Sequence, residues 1–354
     1  MPHDRYHRQR LLPGIGDAGQ QRLTESHALI VGCGALGCAA ADLLARAGVG
    51  TLTLVDRDLV ETTNLQRQVL FDESQVGEPK AIAAAERLAR VNRGVRTEPV
   101  IADFNPTNAR SIATRATGGA PDVILDGTDN FETRFLVNDL AVESGVPYLY
   151  AGAVGTRGMV AAFRPPFGAR EGGPCLRCVF DAPPPPGSQP TCDTAGVLGP
   201  VISIVAGVQA GEAIKVLTGA HDRVRPTLLE FDAWANTRRT IELAPMRDPA
   251  CACCVRGSLD YLDAPADQPA TICGRDAVQV LPTGEGGIDL AALAERLRAH
   301  GSFEVTRFLL RGAVEGDETD DRIGLTVFRD GRALISGLDD PVRARSIYAK
   351  YIGA

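Results

Sequence analysis

Two spacings in this sequence can do chemistry. The first is "VGCGALG", which sets Gly32, Gly34 and Gly37 between an apolar run and a helical pattern. This G-x-G-x-x-G arrangement permits a tight turn and lets main-chain N–H groups at a helix N-terminus approach phosphate oxygens. Asp56 follows 19 residues after Gly37, at the end of the next apolar run, where a carboxylate can accept from ribose hydroxyls. NAD and ATP both fit, since both offer ribose and phosphate. The second spacing is "CLRC" with "CACC", which pairs Cys175 with Cys178 and Cys251 with Cys254. Two CxxC pairs can close a tetrahedral four-thiolate zinc site with no open position, a structural site rather than a catalytic one. A redox reading needs only one pair, at a helix N-terminus. Cys253 is an extra thiol that can stand in for Cys251, but the matched spacing favours Cys251.

Charged residues after Asp56 separate the nucleotides. Arg67 lies in "NLQRQ", Lys80 in "GEPKA", and Asp126 and Asp129 in "DGTDN" at the end of another apolar run. An NAD enzyme can hold its pyrophosphate with backbone N–H groups and does not need these cations. A triphosphate under in-line attack does, because charge on the phosphoryl oxygens must be neutralised. Asp129 suits Mg²⁺, which takes one or two carboxylates plus substrate phosphates. The plain alternative is that these residues belong to surface ion pairs.

Several motifs then occur in order: "RYHRQRLLPGIGDAGQQRL", "VGCGALGC", "VDRDLVETTNLQRQVLF", "VGEPKA", "DGTDNFETR", "CLRC", "TCDTAGVLGP" and "DPACACC". Together, from about Arg5 to Cys254, they resemble the MoeB/ThiF group of ubiquitin-activating-type adenylyltransferases. The resemblance implies ATP and Mg²⁺ as cofactors and adenylation of the C-terminal Gly-Gly carboxylate of a small ubiquitin-like sulfur carrier. It implies that Asp56 binds ribose beside the loop of Gly32, Gly34, Ala35 and Gly37. Thr63, Asn64 and Arg67 would contact the nucleotide and its phosphates, Lys80 the phosphates, and Asp129 and Asn130 the metal and nucleotide. Arg8 resembles an arginine that reaches the partner subunit's site, which implies a homodimer. Cys192 matches a cysteine that can bond covalently to the carrier, with a persulfide donor supplying sulfur. Ala35 departs from the second consecutive glycine of many members; its methyl group is small enough to leave ATP binding expected.

The elements that must position these residues alternate. Strands are expected at "ALIVG", "GTLTLVD", "VRTEPVIA", "PDVILDG" and "VPYLYAGA", with helices between them. That pattern predicts a Rossmann-like, mostly parallel sheet with helices on both faces. A Pro- and Gly-rich crossing loop is expected over about 165–198, and paired strands at "RPTLLEFDAW" and "NTRRTIELAP". The adenylyltransferase domain is expected to span 1–255. A small α+β domain over 258–354 carries a hairpin turn at Asp330-Gly331 and no cysteine loop of the rhodanese kind. It reads as a docking or structural module.

The 354 residues are 44% hydrophobic with net charge −7, which speaks against nucleic acid as partner. The N-terminus lacks an apolar signal core. The run "GVLGPVISIVAGVQAGEAIKVL" is broken by Pro200, Gln209, Glu212 and Lys215, so a buried helix is expected rather than a membrane span. Nine cysteines then read as thiols and metal ligands of a cytoplasmic protein, with Cys33 and Cys38 as small packing residues. Three other readings remain: an NAD-dependent oxidoreductase, a non-catalytic scaffold for a ubiquitin-like protein, and an adenylyltransferase of modified tRNA. The carrier's pathway (thiamine, molybdopterin, tRNA thiolation or cysteine) stays open.

Overall fold

The computed structural model describes residues 5–163, 172–185, 192–265, 277–282, 287–315, 322–338 and 340–353, and not the side chains of 192, 193, 315 and 322. The chain divides into two compact units, Met1–Ala266 and Asp267–Ala354.

The first unit begins with α1 (His7–Arg10) and α2 (Gly16–Glu25). It continues through β1 (His27–Val31), α3 (Ala35–Ala47), β2 (Thr51–Asp56), α4 (Lys80–Val91), β3 (Arg96–Ile101) and α5 (Ala109–Arg115). Then come β4 (Val123–Asp126), α6 (Phe131–Ser144), β5 (Tyr148–Val154), β6 (Arg157–Phe163), α7 (Leu176–Val179) and α8 (Cys192–Ala195). α9 (Gly199–Leu217), β7 (Thr227–Asp232) and β8 (Thr237–Glu242) follow. The eight strands form one sheet in the order β3-β2-β1-β4-β5-β6-β7-β8. From β3 to β5 neighbouring strands are parallel; β6, β7 and β8 add antiparallel.

Alternation along the central strand explains the layering. Ala28 and Ile30 of β1 join a core with α3, α4 and α9, while Leu29 and Val31 join a second core with α5 and α6 on the other face. Both faces of β1 are therefore buried, as the apolar run Ala28 to Val31 requires. Left-handed glycines stop α3 at Gly48 and α6 at Gly145.

α9 is long and apolar enough to cross a membrane by length and composition. Here Val201, Val205, Ala206 and Ala213 pack in the core instead.

The first unit runs on past the boundary read from sequence at 255. Leu262 is part of its core, with Leu259 and Tyr261 packed against it, and Tyr261 N–H donates to Asp139. These apolar residues follow the cysteines too closely to be a linker.

The second unit holds β9 (Ala277–Val280), α10 (Leu290–Leu297), β10 (Gly301–Val305), β11 (Leu309–Glu315), β12 (Arg322–Phe328), β13 (Ala333–Ser336) and α11 (Pro341–Tyr351). The sheet is antiparallel, in the order β10-β11-β12-β13-β9, and its core joins Leu293, Leu325, Ile335 and Ile347. Thr306 Oγ1 accepts from the Phe308 and Leu309 N–H groups and shapes the turn that joins β10 to β11.

At Gly37 an added Cβ would collide with the main-chain oxygen of Gly32. Gly37→Ala should therefore lower stability by about 3 kcal/mol. Thermal unfolding checks this; an unchanged melting temperature would show that the backbone relaxes there without cost.

Candidate nucleotide site and cysteine cluster

The loops after β1 and β4 meet where the strand order reverses, the place at which open α/β sheets bind ligands. They touch backbone to backbone. Gly32 has φ +91°, and a Cβ there would lie 2.7 Å from the Gly127 carbonyl. A Cβ on Gly127 would strike the Gly32 oxygen in turn. Gly34 differs, because its Cβ would meet only the Gly127 oxygen, at an ordinary 3.5 Å. Packing does not require glycine at 34, where the residue is the N-cap of α3 and leaves the loop open on that side. Ala35 begins α3 directly behind this loop.

Asp56 ends β2 and fastens the loop. Its Oδ2 accepts from Cys33 N–H and its Oδ1 from Asp58 N–H, both at 2.7 Å. Burial pushes its carboxyl above the usual range, and the Lys80 ammonium opposes that. Each carboxylate oxygen has a second lone pair, so ribose hydroxyls can still be accepted. Cys33 and Cys38 are fully buried, and burial raises both thiols, which makes them packing residues.

Lys80 opens α4, is 5% exposed, and reaches Asp58 Oδ2 at 3.1 Å. Its ammonium is therefore oriented beside Asp56 before any nucleotide arrives. Arg57 meanwhile pairs with Asp103 at 2.9 Å. In the loop after β2, Asn64 is buried and its Oδ1 accepts from Glu61 N–H at 3.0 Å. Asn64 thus shapes the turn. Thr63 is exposed, and the half-buried Arg67 donates from Nη1 to the Thr63 carbonyl at 3.0 Å. Gln68 is buried, and its Oε1 accepts no hydrogen bond from the described residues.

In "DGTDN" the two acids divide. Asp126 is buried; it accepts from Thr128 N–H and Oγ1–H and from Tyr148 O–H, and it pairs with Arg134 Nε at 3.2 Å. Asp129 and Asn130 are exposed. Asn130 Oδ1 caps α6 by accepting from Glu132 N–H at 2.8 Å. Arg134 closes the "DGTDNFETR" motif, where its type alone assigns it no role. It donates to the Thr128 carbonyl at 2.9 Å and so clamps the loop that carries Asp129. A strand-end acid followed by an arginine one turn into the next helix was the available signal.

Arg8 is not brought to this loop within the chain. Tyr6 packs on Gly48 and accepts from Asn92, and Gln9 donates to the Ala47 carbonyl. These contacts fix α1 at the C-terminal end of α3, whereas the glycine loop is at its N-terminal end, about 20 Å away for 13 residues. Arg8 itself is exposed.

The sulfur atoms of Cys175, Cys178, Cys251 and Cys254 all lie within 4.8 Å of one another. Three of the separations are 3.9 Å (175–178), 3.7 Å (175–251) and 3.5 Å (178–254). Tetrahedral zinc with bonds of about 2.3 Å places its sulfurs about 3.8 Å apart, so the set fits such an ion. Cys251, not Cys253, completes the tetrad; Cys253 Sγ donates to Asp139 Oδ1 at 3.2 Å. Cys192 begins α8, and its side chain lies outside the described residues, as do 164–171 and 186–191 of the crossing loop.

A glycine loop at the switch point, a fastened acid after β2 and an oriented lysine define a nucleotide-binding α/β protein. Comparison narrows the class: the ThiF family model matches residues 6–253, and the chain belongs to that family. A Bacillus subtilis relative, the sulfur carrier protein ThiS adenylyltransferase, is 40% identical over 352 residues, 99% of each chain. A Thermus thermophilus sulfur carrier protein adenylyltransferase is 42% identical over 71% of this chain and 90% of its own. Among solved structures, E. coli MccB crystallised with ATP shares the fold, with TM-score 0.58, 23% identity, and coverage of 71% of this chain and 74% of that one.

Arg134→Met would leave the Asp126 carboxylate buried beside no cation. Breaking a buried pair on one side costs about 3–5 kcal/mol, so the urea midpoint should fall sharply. A wild-type midpoint would mean that Asp126 is compensated by its hydrogen bonds alone.

Proposed function

We propose that the protein adenylates the C-terminal carboxylate of a small ubiquitin-like sulfur carrier ending in Gly-Gly. The observation that carries this reading is Lys80 held beside Asp56 and the glycine loop, in a chain alignable end to end with a ThiS adenylyltransferase. An NAD oxidoreductase would draw on the glycines and Asp56 but leave Lys80 without a role.

The carrier's carboxylate is the nucleophile. With a pKa of about 3.5 it is ionised at neutral pH and needs no general base. It attacks the α-phosphorus of ATP, pyrophosphate leaves, and an acyl-adenylate remains. Asp56 holds the ribose; Gly32, Gly34, Ala35 and Gly37 admit the phosphates to the start of α3. Lys80 and Arg67 neutralise the charge that develops, with Thr63, Asn64 and Asn130 lining and shaping the pocket. Asp129, exposed at the rim, is the carboxylate for Mg²⁺, which supplies charge neutralisation at the phosphates when bound. Arg8 acts in a homodimer, reaching the partner subunit's nucleotide; the distance along α3 supports this, since Arg8 is remote from its own glycine loop. The terminal sulfur of a persulfide donor then displaces AMP to give an acyl disulfide; the Cys192 thiol attacks the donor's sulfur, the thiocarboxylate leaves, and Cys192 ends in a mixed disulfide with the donor. The four cysteines hold a structural Zn²⁺. The enzyme works in the cytoplasm.

The second unit is accessory in this reading. The Thermus relative matches over 90% of its length and only 71% of this chain, so little of it is left to form such a unit. It serves here as a docking or structural module.

Arg67→Ala should leave the fold intact and lower carrier-dependent ATP–pyrophosphate exchange by about 10²–10³-fold, the scale of one lost charge-stabilising donor. Exchange at the wild-type rate would remove that role, and no exchange by the wild type with any Gly-Gly carrier would leave only a binding scaffold. Chelation should release about one zinc per chain and lower the melting temperature; metal analysis with calorimetry reads both.

A further inference from the structure

Two tyrosines stand on one face of β5, and only one of them is satisfied. Tyr148 donates its hydroxyl to Asp126 Oδ2 at 2.8 Å. Tyr150 is 5% exposed, and among the described residues its hydroxyl has no hydrogen-bond partner. A buried tyrosine normally finds one. The Tyr150 ring is not free to search: the Arg134 guanidinium lies 5.0 Å from its centroid, and the Phe163 ring meets it edge-on at 6.4 Å. The hydroxyl is held over Gly152. A Cβ on Gly152 would lie 3.2 Å from the Tyr150 oxygen and 3.4 Å from Arg134 Nη2. Here β5 leaves the core, since Tyr148 to Ala151 are buried and Gly152 to Val154 are half-buried. Burial also raises the phenol above its usual range, so it stays protonated and remains a donor at neutral pH.

The neighbours of this donor show what has to pass it. β5 pairs with β4, which leads into the loop bearing Asp129. Arg134, which covers the Tyr150 ring, also donates to the Thr128 carbonyl of that loop. α8, which begins at Cys192, packs against β5, and the chain just after α8 is tied to the end of β5 where Gly155 N–H donates to the Gly196 carbonyl. The glycine loop, Asp56 and Lys80 belong to β1, β2 and α4, on the far side of β4. We propose that the Tyr150 hydroxyl binds the C-terminal tail of the carrier, donating to a main-chain carbonyl of its Gly-Gly end and so setting the carboxylate for attack. This rests on the reading of the protein as a carrier adenylyltransferase. In that reading the tail comes first to phosphates beside Asp129 and afterwards to Cys192, and β5 adjoins both. A Gly-Gly tail has no side chains, so its carbonyl and N–H groups are all that can be recognised. Gly152 brings no side chain of its own to crowd the hydroxyl from the strand side.

Tyr150→Phe removes only the donor. The ring stays beside Arg134, so the melting temperature should not change. In carrier-dependent ATP–pyrophosphate exchange the KM for the carrier should rise about 3- to 10-fold, the scale of one hydrogen bond, while the KM for ATP keeps its wild-type value. An unchanged KM for the carrier overturns the proposal. An equal rise in the KM for ATP does so too, because it places the hydroxyl at the nucleotide, and a lower melting temperature does so because it means that the hydroxyl is bonded within the chain. Direct titration with the carrier cut short by its two terminal glycines gives a second measurement. Wild type and Tyr150→Phe should bind it equally; weaker binding by the variant would put the contact on the body of the carrier and overturn a role at the tail. A wild-type protein without exchange activity on any Gly-Gly carrier would instead overturn the adenylyltransferase reading, a result distinguishable from an active enzyme whose Tyr150→Phe variant keeps the wild-type KM for the carrier.

Discussion

The site depends on three backbones meeting without side chains between them. Gly32, Gly37 and Gly127 lie so close that a Cβ on any of them would strike the main chain of another. This contact draws the loop after β1 and the loop after β4 together at the point where the sheet changes direction. It also sets the start of α3 against the end of β1, so that helix N–H groups face the crevice. Gly34 stands outside this interlock. The other three are required by the fold, and Gly34 is not.

Around that contact, burial sorts the polar residues into two groups. Asp56, Asn64, Asp126 and Arg134 are buried, and the hydrogen bonds of each hold a turn or loop in shape. Thr63, Asp129 and Asn130 are exposed on those same loops, and Arg67 is half-exposed. Lys80 belongs to both groups, being buried yet carrying an ammonium with three donors, of which Asp58 takes one. In the function proposed above, a charge held this way would need little reorganisation when phosphate charge develops.

Much of this could be read from the sequence, because its signals are local. The glycine spacing, the acid after β2, the strand–helix alternation and the paired CxxC motifs each occupy a few adjacent residues. What escaped was set by contacts distant in sequence. Arg134 has meaning only once Asp126, Thr128 and Ala151 surround it. Gln209 sits in the middle of an apolar helix, and its amide donates to the Asp126 and Leu149 carbonyls, each at 2.8 Å. Nothing in its neighbours announces that pairing. The end of the first unit was misplaced for the same reason, since Leu262 is core only because the other face of the sheet is there to receive it. The choice between Cys251 and Cys253 was made on spacing alone, and the side chains of α6 supply the physical ground for it.

Gln209 also explains how an apolar helix serves a polar site. α9 is apolar enough to pass for a membrane span, yet such a segment would be poorly served by Gln209, Glu212 and Lys215 in hydrocarbon. In the folded chain Gln209 is fully buried and donates to the carbonyls of Leu149 in β5 and of Asp126, which ends β4 just before the loop that bears Asp129. Apolar packing alone lets a helix shift in register at modest cost. A buried amide does not, because sliding by one residue would strand its donors away from both carbonyls. α9, which packs in the core on one face of the sheet, is thereby locked to β4 and β5, and the loop that bears Asp129 is tied to the packing of the interior.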